Sequence, residues 1–218
     1  MFPLLRVIAA VYMAMSIKGP TSTWFNMPEF FIPSAVIIED VEPAAVEAPK
    51  YLFVGNSLVT GLKAYGDEEH TYVCKVGISL PALIKDYSDD IKAADFNIAL
   101  IQMGSNELGG WKKENFKDRY TELIAVIQNA SPGCRVICMS IVPVTTARDT
   151  GGTRFNNANV ATYTEWIKEV VEETGTEFLD LSPFFGTVLR TDWAGNDGMH
   201  LKGTIYKNWY EYIMSEMS

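Results

Sequence analysis

Short apolar runs with no polar alternation constrain this chain more than any other feature. Tyr51-Leu52-Phe53-Val54 and Ile98-Ala99-Leu100-Ile101 contain no residue that would turn toward water. That is the pattern of a parallel strand covered on both faces. Strands are predicted at residues 51–54, 71–76, 96–103, 134–142 and 177–181. Between and after them run apolar stripes at helical spacing. Phe116, Tyr120, Leu123, Ile124 and Ile127 form one, Val160, Tyr163, Ile167 and Val170 a second, and Ile205, Trp209, Tyr212 and Ile213 a third. Strands alternating with helices imply an α/β fold, a five-stranded parallel sheet with helices on both faces.

In such a sheet, ligands bind beyond the carboxyl ends of the strands. Ser57 follows the first strand, Gly77 the second and Asn106 the third, while Asp197 and His200 precede the last helix. All five therefore converge on one edge. A serine hydroxyl becomes a nucleophile when a base takes its proton. His200 can take it through one ring nitrogen while a carboxylate holds the other, and Asp197 lies three residues away. The oxyanion formed by attack on an ester needs fixed donors. The Ser57 N–H, the Gly77 backbone and the Asn106 side chain are the candidates. The second histidine, His70, precedes the second strand at the opposite end of the sheet and reads as a solvated residue.

Spacing removes two rivals. The nucleophile elbow Gly-x-Ser-x-Gly needs glycine where Val59 stands. A phosphate-cradling loop needs Gly-x-x-x-x-Gly-Lys-Ser/Thr, which Gly55 to Gly61 does not supply.

The 218 residues carry a formal charge of −9 and no cluster of lysine or arginine, which argues against a nucleic-acid partner. Cys74, Cys134 and Cys138 form no metal-ligand spacing and read as buried, inert thiols, so neither a metal nor another cofactor is expected. Residues 1–18 have the outline of a signal peptide or membrane anchor, with Arg6 ahead of an apolar run and small residues near Ser16. Residues 19–49 hold five of the ten prolines, and their acidic stretch from Glu39 to Glu47 reads as a linker. The folded domain is expected at 50–218, in an extracellular or cell-surface protein, the alternative being a cytoplasmic one with an amphipathic or disordered leader. Membrane contact is expected only through the leader.

The blocks Phe53-Val54-Gly55-Asn56-Ser57-Leu58, Lys75-Val76-Gly77-Ile78-Ser79, Met103-Gly104-Ser105-Asn106-Glu107 and Asp197-Gly198-Met199-His200-Leu201 occur in order. Together they resemble the four blocks of the SGNH hydrolases, also called the GDSL esterase/lipase superfamily. The resemblance implies a flavodoxin-like three-layer α/β/α sandwich. It implies Ser57 as nucleophile, His200 as base and Asp197 as its orienting carboxylate. It also implies an oxyanion hole of Ser57, Gly77 and Asn106. Two residues depart from the pattern: Asn56 and Glu107 stand where aspartate is usual.

The expected activity is a serine esterase removing a small acyl group, acetyl above all, from a carbohydrate or cell-wall glycan. Other readings are a lipase- or thioesterase-type hydrolase, an acyltransferase using the same residues, or a silent glycan-binding module. Trp111 and Trp193, in loops after the third and fifth strands, are candidate flat faces for substrate.

Overall fold

A computed structural model describes residues 48–218. The expected leader, and all of the expected linker except Ala48 and Pro49, lie outside the described residues. Five parallel strands, β1 (Tyr51–Gly55), β2 (Thr71–Cys74), β3 (Ile98–Gln102), β4 (Arg135–Met139) and β5 (Glu177–Leu179), form one sheet in the order β2-β1-β3-β4-β5. This is the flavodoxin-like order, with the topological switch between β1 and β3. The helices are α1 (Ser57–Lys63), α2 (Leu80–Ala93), α3 (Lys113–Ala130), α4 (Thr146–Asp149), α5 (Asn157–Thr174), α6 (Ser182–Phe185) and α7 (Gly203–Glu216).

Strand side chains alternate between two cores, as the period of two demands. Leu52, Val54, Ala99 and Ile101 pack beneath α2, α3 and α5. Tyr51, Phe53, Ile98 and Leu100 pack beneath α1, α6 and α7. The helical stripes are buried as expected, except that Tyr212 is only half-buried. Asn156 caps α5 by accepting the Asn159 N–H, and Gly175 ends that helix in the left-handed region at φ 66°.

Only β1 reaches its predicted end, and β2, β3, β4 and β5 stop one to three residues short. The run after β2 breaks at a turn that leaves Lys75, Val76 and Gly77 exposed, with Gly77 at φ 73°. The run after β4 stays buried through Thr145 but leaves the ladder, because β5 ends at Leu179. Its amides then take side-chain partners on α5: Ile141 N–H donates to Thr164 Oγ1 at 3.3 Å and Val144 N–H to Asn157 Oδ1 at 2.8 Å. A buried run reads the same in sequence whether strands or side chains satisfy its backbone.

His70 corrects an expectation. It is half-buried, with its ring centroid 4.9 Å from that of Tyr51 and 6.1 Å from that of Tyr210. Burial lowers its pKa against the opposing pull of Asp67 and Glu69. Of the thiols, Cys138 is fully buried and pushed up to about 12 by that burial, while Cys74 and Cys134 are half-buried. Among the described residues there is no cluster of three metal-ligating side chains, and no helix is long and apolar enough to cross a membrane.

Candidate active site

Ser57 is the first residue of α1, immediately beyond β1. Its turn is set by Asn56, whose Oδ1 accepts the Leu58 N–H at 3.1 Å. Asn56 is fully buried. A carboxylate would make the same cap but would bury a charge, which costs several kcal/mol of desolvation unless paired (roughly). Asparagine holds the turn without burying a charge, and its Nδ2 is left buried with no hydrogen-bond partner.

His200 comes to Ser57 from a loop closed on itself. Ala194 and Leu201 form an antiparallel bridge, and Gly195 N–H donates to His200 O at 2.7 Å. Within the loop, Asp197 Oδ1 accepts the N–H groups of Met199 and His200, each at 3.0 Å. Gly198 turns the chain at φ 71°, and its carbonyl accepts the Thr145 N–H at 3.0 Å, tying the loop to the segment after β4.

These elements bring the polar groups into one line. His200 Nε2 lies 2.8 Å from Ser57 Oγ, and His200 Nδ1 lies 2.5 Å from Asp197 Oδ2. A carboxylate–imidazole–hydroxyl array of this order can move the hydroxyl proton to the ring while the carboxylate fixes the tautomer. Burial works to raise the Asp197 pKa, but hydrogen bonds from the His200 ring and the two backbone N–H groups outweigh it and hold the group at about 2. The folded value lies below the ordinary 3.8, so the ionised carboxylate stabilises the fold above that pH and the contribution fades as pH falls through about 2. Thermal melts of wild type and Asp197→Asn should therefore still differ at pH 5 and converge near pH 2. A difference that disappears by pH 5 would contradict this ionisation.

Asn106 and Glu107 reach from the loop after β3 to the loop after β2. Asn106 Nδ2 donates to Ile78 O at 2.7 Å, and Glu107 Oε1 accepts the Leu80 N–H at 2.8 Å. Burial pushes the Glu107 carboxyl up, with the Leu80 hydrogen bond opposing. The longer side chain at 107 thus pins the segment that carries Gly77. Arg154 holds the same β3 loop by donating to Asn106 O at 2.9 Å and Leu108 O at 3.0 Å.

Ser57 and His200 open onto a cleft of about 190 Å³, whose apolar walls are Leu58, Leu108, Val142, Val144, Phe155 and Met199. Asn106 lines it too, whereas Gly77 stands exposed in its turn and is not one of the lining residues. Trp111 and Trp193 do not line it either. Trp111 packs against the α2/α3/α5 core, and Trp193 packs with Phe184 and Phe185. Large half-buried rings gain most from packing, and both found it away from the cleft. Phe155 takes the aromatic place instead. Sequence reasoning missed it because it sits in the irregular stretch between α4 and α5, and the one available signal was the unbroken run Ile141-Val142-Pro143-Val144.

A family model described as the GDSL-like lipase/acylhydrolase family matches residues 64–207. The chain belongs to that family. The match contains Gly77, Asn106, Asp197 and His200 and begins just past Ser57. Members of the family and their structural neighbours are esterases and lipases, and this chain is an enzyme of that class. No curated protein matches it significantly. Solved structures share its fold. A GDSL-like lipase from Bacteroides thetaiotaomicron is 14% identical with a TM-score of 0.64, over 78% of this chain and 87% of the other. A lipase/acylhydrolase from Enterococcus faecalis is 15% identical at 0.59, over 77% and 95%. An acetyl xylan esterase is 15% identical at 0.60, over 78% and 100%.

Proposed function

We propose that this GDSL-family hydrolase is a serine esterase that removes acetyl or similarly small acyl groups from a carbohydrate. The observation that carries the reading is the hydrogen-bonded line from Ser57 through His200 to Asp197. In this reaction Ser57 Oγ attacks the ester carbonyl as its proton passes to His200 Nε2. The tetrahedral oxyanion takes hydrogen bonds from the Ser57 N–H and from Asn106 Nδ2, both residues of the cleft wall, and Gly77, which is not, is the third candidate donor. The Asn106 amide has two N–H groups, so the one given to Ile78 leaves a second free. His200 then protonates the departing alcohol, and water repeats the cycle on the acyl-enzyme.

The size of the cleft supports a short acyl group. At about 190 Å³ it lies below the usual range for sites that take drug-sized ligands. The carbohydrate part rests on the likeness of fold to an acetyl xylan esterase. The sequence pattern around Arg6 further supports action outside the cell.

A panel of 4-nitrophenyl esters and acetylated sugars tests the assignment. Acetyl and propionyl esters should give the highest kcat/KM, falling steeply by hexanoyl, and acetylated sugars should be deacetylated. Octanoyl esters hydrolysed best would overturn the short-acyl reading. Phe155→Ala opens the wall, and each added methylene accommodated is worth about 1–3 kcal/mol. The hexanoyl-to-acetyl ratio should therefore rise at least tenfold or so in that variant.

A further inference from the structure

Beside the apolar cleft lies a second, polar depression of about 550 Å³, lined by Arg148, Lys202, Thr145, Thr191, Asn196 and Asp197. Two of these lining residues are cations. Neither Arg148 nor Lys202 has a carboxylate within ion-pair distance among the described residues. The carboxylate in the same depression, Asp197, is already engaged by the His200 ring and two backbone N–H groups. Lys202 Nζ donates once, to Asp192 O at 2.8 Å, which leaves two of its N–H groups. Arg148 keeps a buried Nε with no partner.

Arg148 also joins the two hollows. Its guanidinium carbon stands 5.1 Å from the centroid of Phe155, the ring that walls the acyl cleft. The chemistry decides which part of a substrate reaches the depression. His200 protonates the leaving oxygen, so the alcohol portion departs on the histidine side, over the loop that carries Asp197.

Resting on the esterase reading above, we propose that this depression is an anion subsite. The alcohol part of the true substrate carries a negative group, a carboxylate or a phosphate, that seats against Arg148 and Lys202. A planar guanidinium suits bidentate contact with either oxyanion through its terminal nitrogens, and the lysine adds a point charge. Arg154 takes no part, because it is committed to the carbonyls of Asn106 and Leu108.

The test compares three acetyl esters of matched shape: 4-acetoxybenzamide, 4-acetoxybenzoate and 4-acetoxyphenyl phosphate. After correction for leaving-group reactivity, at least one anionic ester should exceed the neutral one in kcat/KM by roughly tenfold at low salt, and the ratio should shrink as salt screens the charges. Preference for one anion over the other identifies the group. In Arg148→Gln the anionic-to-neutral ratio should fall close to one, and Arg148→Lys should restore part of it, while Lys202→Gln should give a smaller fall. A wild-type ratio at or below one, or one unmoved by salt, overturns the subsite and leaves the esterase reading standing. No hydrolysis of any of the three overturns the esterase reading and the subsite with it.

Discussion

Replacing His200 with alanine should lower kcat for a short-chain aryl ester by about a thousandfold or more, and Ser57→Ala should do the same. The two losses should not add. Once the base is gone the hydroxyl is no better than any serine, so the double variant should match the singles within a few fold. A fluorophosphonate probe gives a readout independent of substrate choice. It should label folded wild type at Ser57, label His200→Ala far more slowly and leave Ser57→Ala unlabelled. Near-normal turnover in His200→Ala would overturn the assignment of the base, and an unlabelled Ser57 in wild type would leave the chain a binding module. Asp197→Ala should cost less, because water and the neighbouring backbone can still orient the ring in part. Its effect should appear in kcat more than in KM, since the carboxylate acts through the imidazole and not on bound substrate.

Much of the fold was legible because buried parallel strands leave a pattern that few other structures share. The runs at 51–54 and 98–101 correspond to β1 and β3, and the three helical stripes to α3, α5 and α7. The juxtaposition of Ser57 with His200 was legible too, because strand-end position and the scarcity of histidine left few alternatives. The cleft walls were not. Val142 and Val144 belong to a buried run whose backbone is satisfied by Asn157 and Thr164, contacts that no local pattern announces. Phe155 has the guanidinium groups of Arg148 and Arg154 over its ring, at 5.1 and 4.5 Å from its centroid, and the partners of such a ring are set by tertiary packing. The same limit misplaced Trp111 and Trp193: aromatic residues in loops at the right edge of the sheet resemble substrate platforms until their packing is seen. Asn56 and Glu107 were visible as departures from a family pattern. Their physical sense, an uncharged cap and a longer reach to the Leu80 N–H, needed the buried setting to be known.

Trp209→Ala should be the most damaging single truncation outside the polar array. The indole is fully buried on α7, stacked edge-on against Phe185 with centroids 5.5 Å apart and tilted toward Tyr206. Truncating a buried tryptophan costs about 3–5 kcal/mol through lost transfer energy and the cavity left behind. For a domain of this size that is a fall in Tm of roughly 10 °C. The damage should also reach the active site, because α7 starts immediately after the His200 loop and shares a core with Leu58, Val59 and Leu62 of the helix that begins with Ser57. Activity should then decline well below the melting midpoint, as the histidine and serine lose their common support. Trp209→Phe discriminates this packing account from a polar one. The buried indole Nε1 has no hydrogen-bond partner, so the phenyl ring removes an unsatisfied donor while leaving a smaller void. These effects oppose each other, and the net cost should stay under about 1.5 kcal/mol. If Trp209→Phe were as destabilising as Trp209→Ala, the indole N–H would have to be making a bond that matters, and the role of Trp209 as packing alone would be refuted.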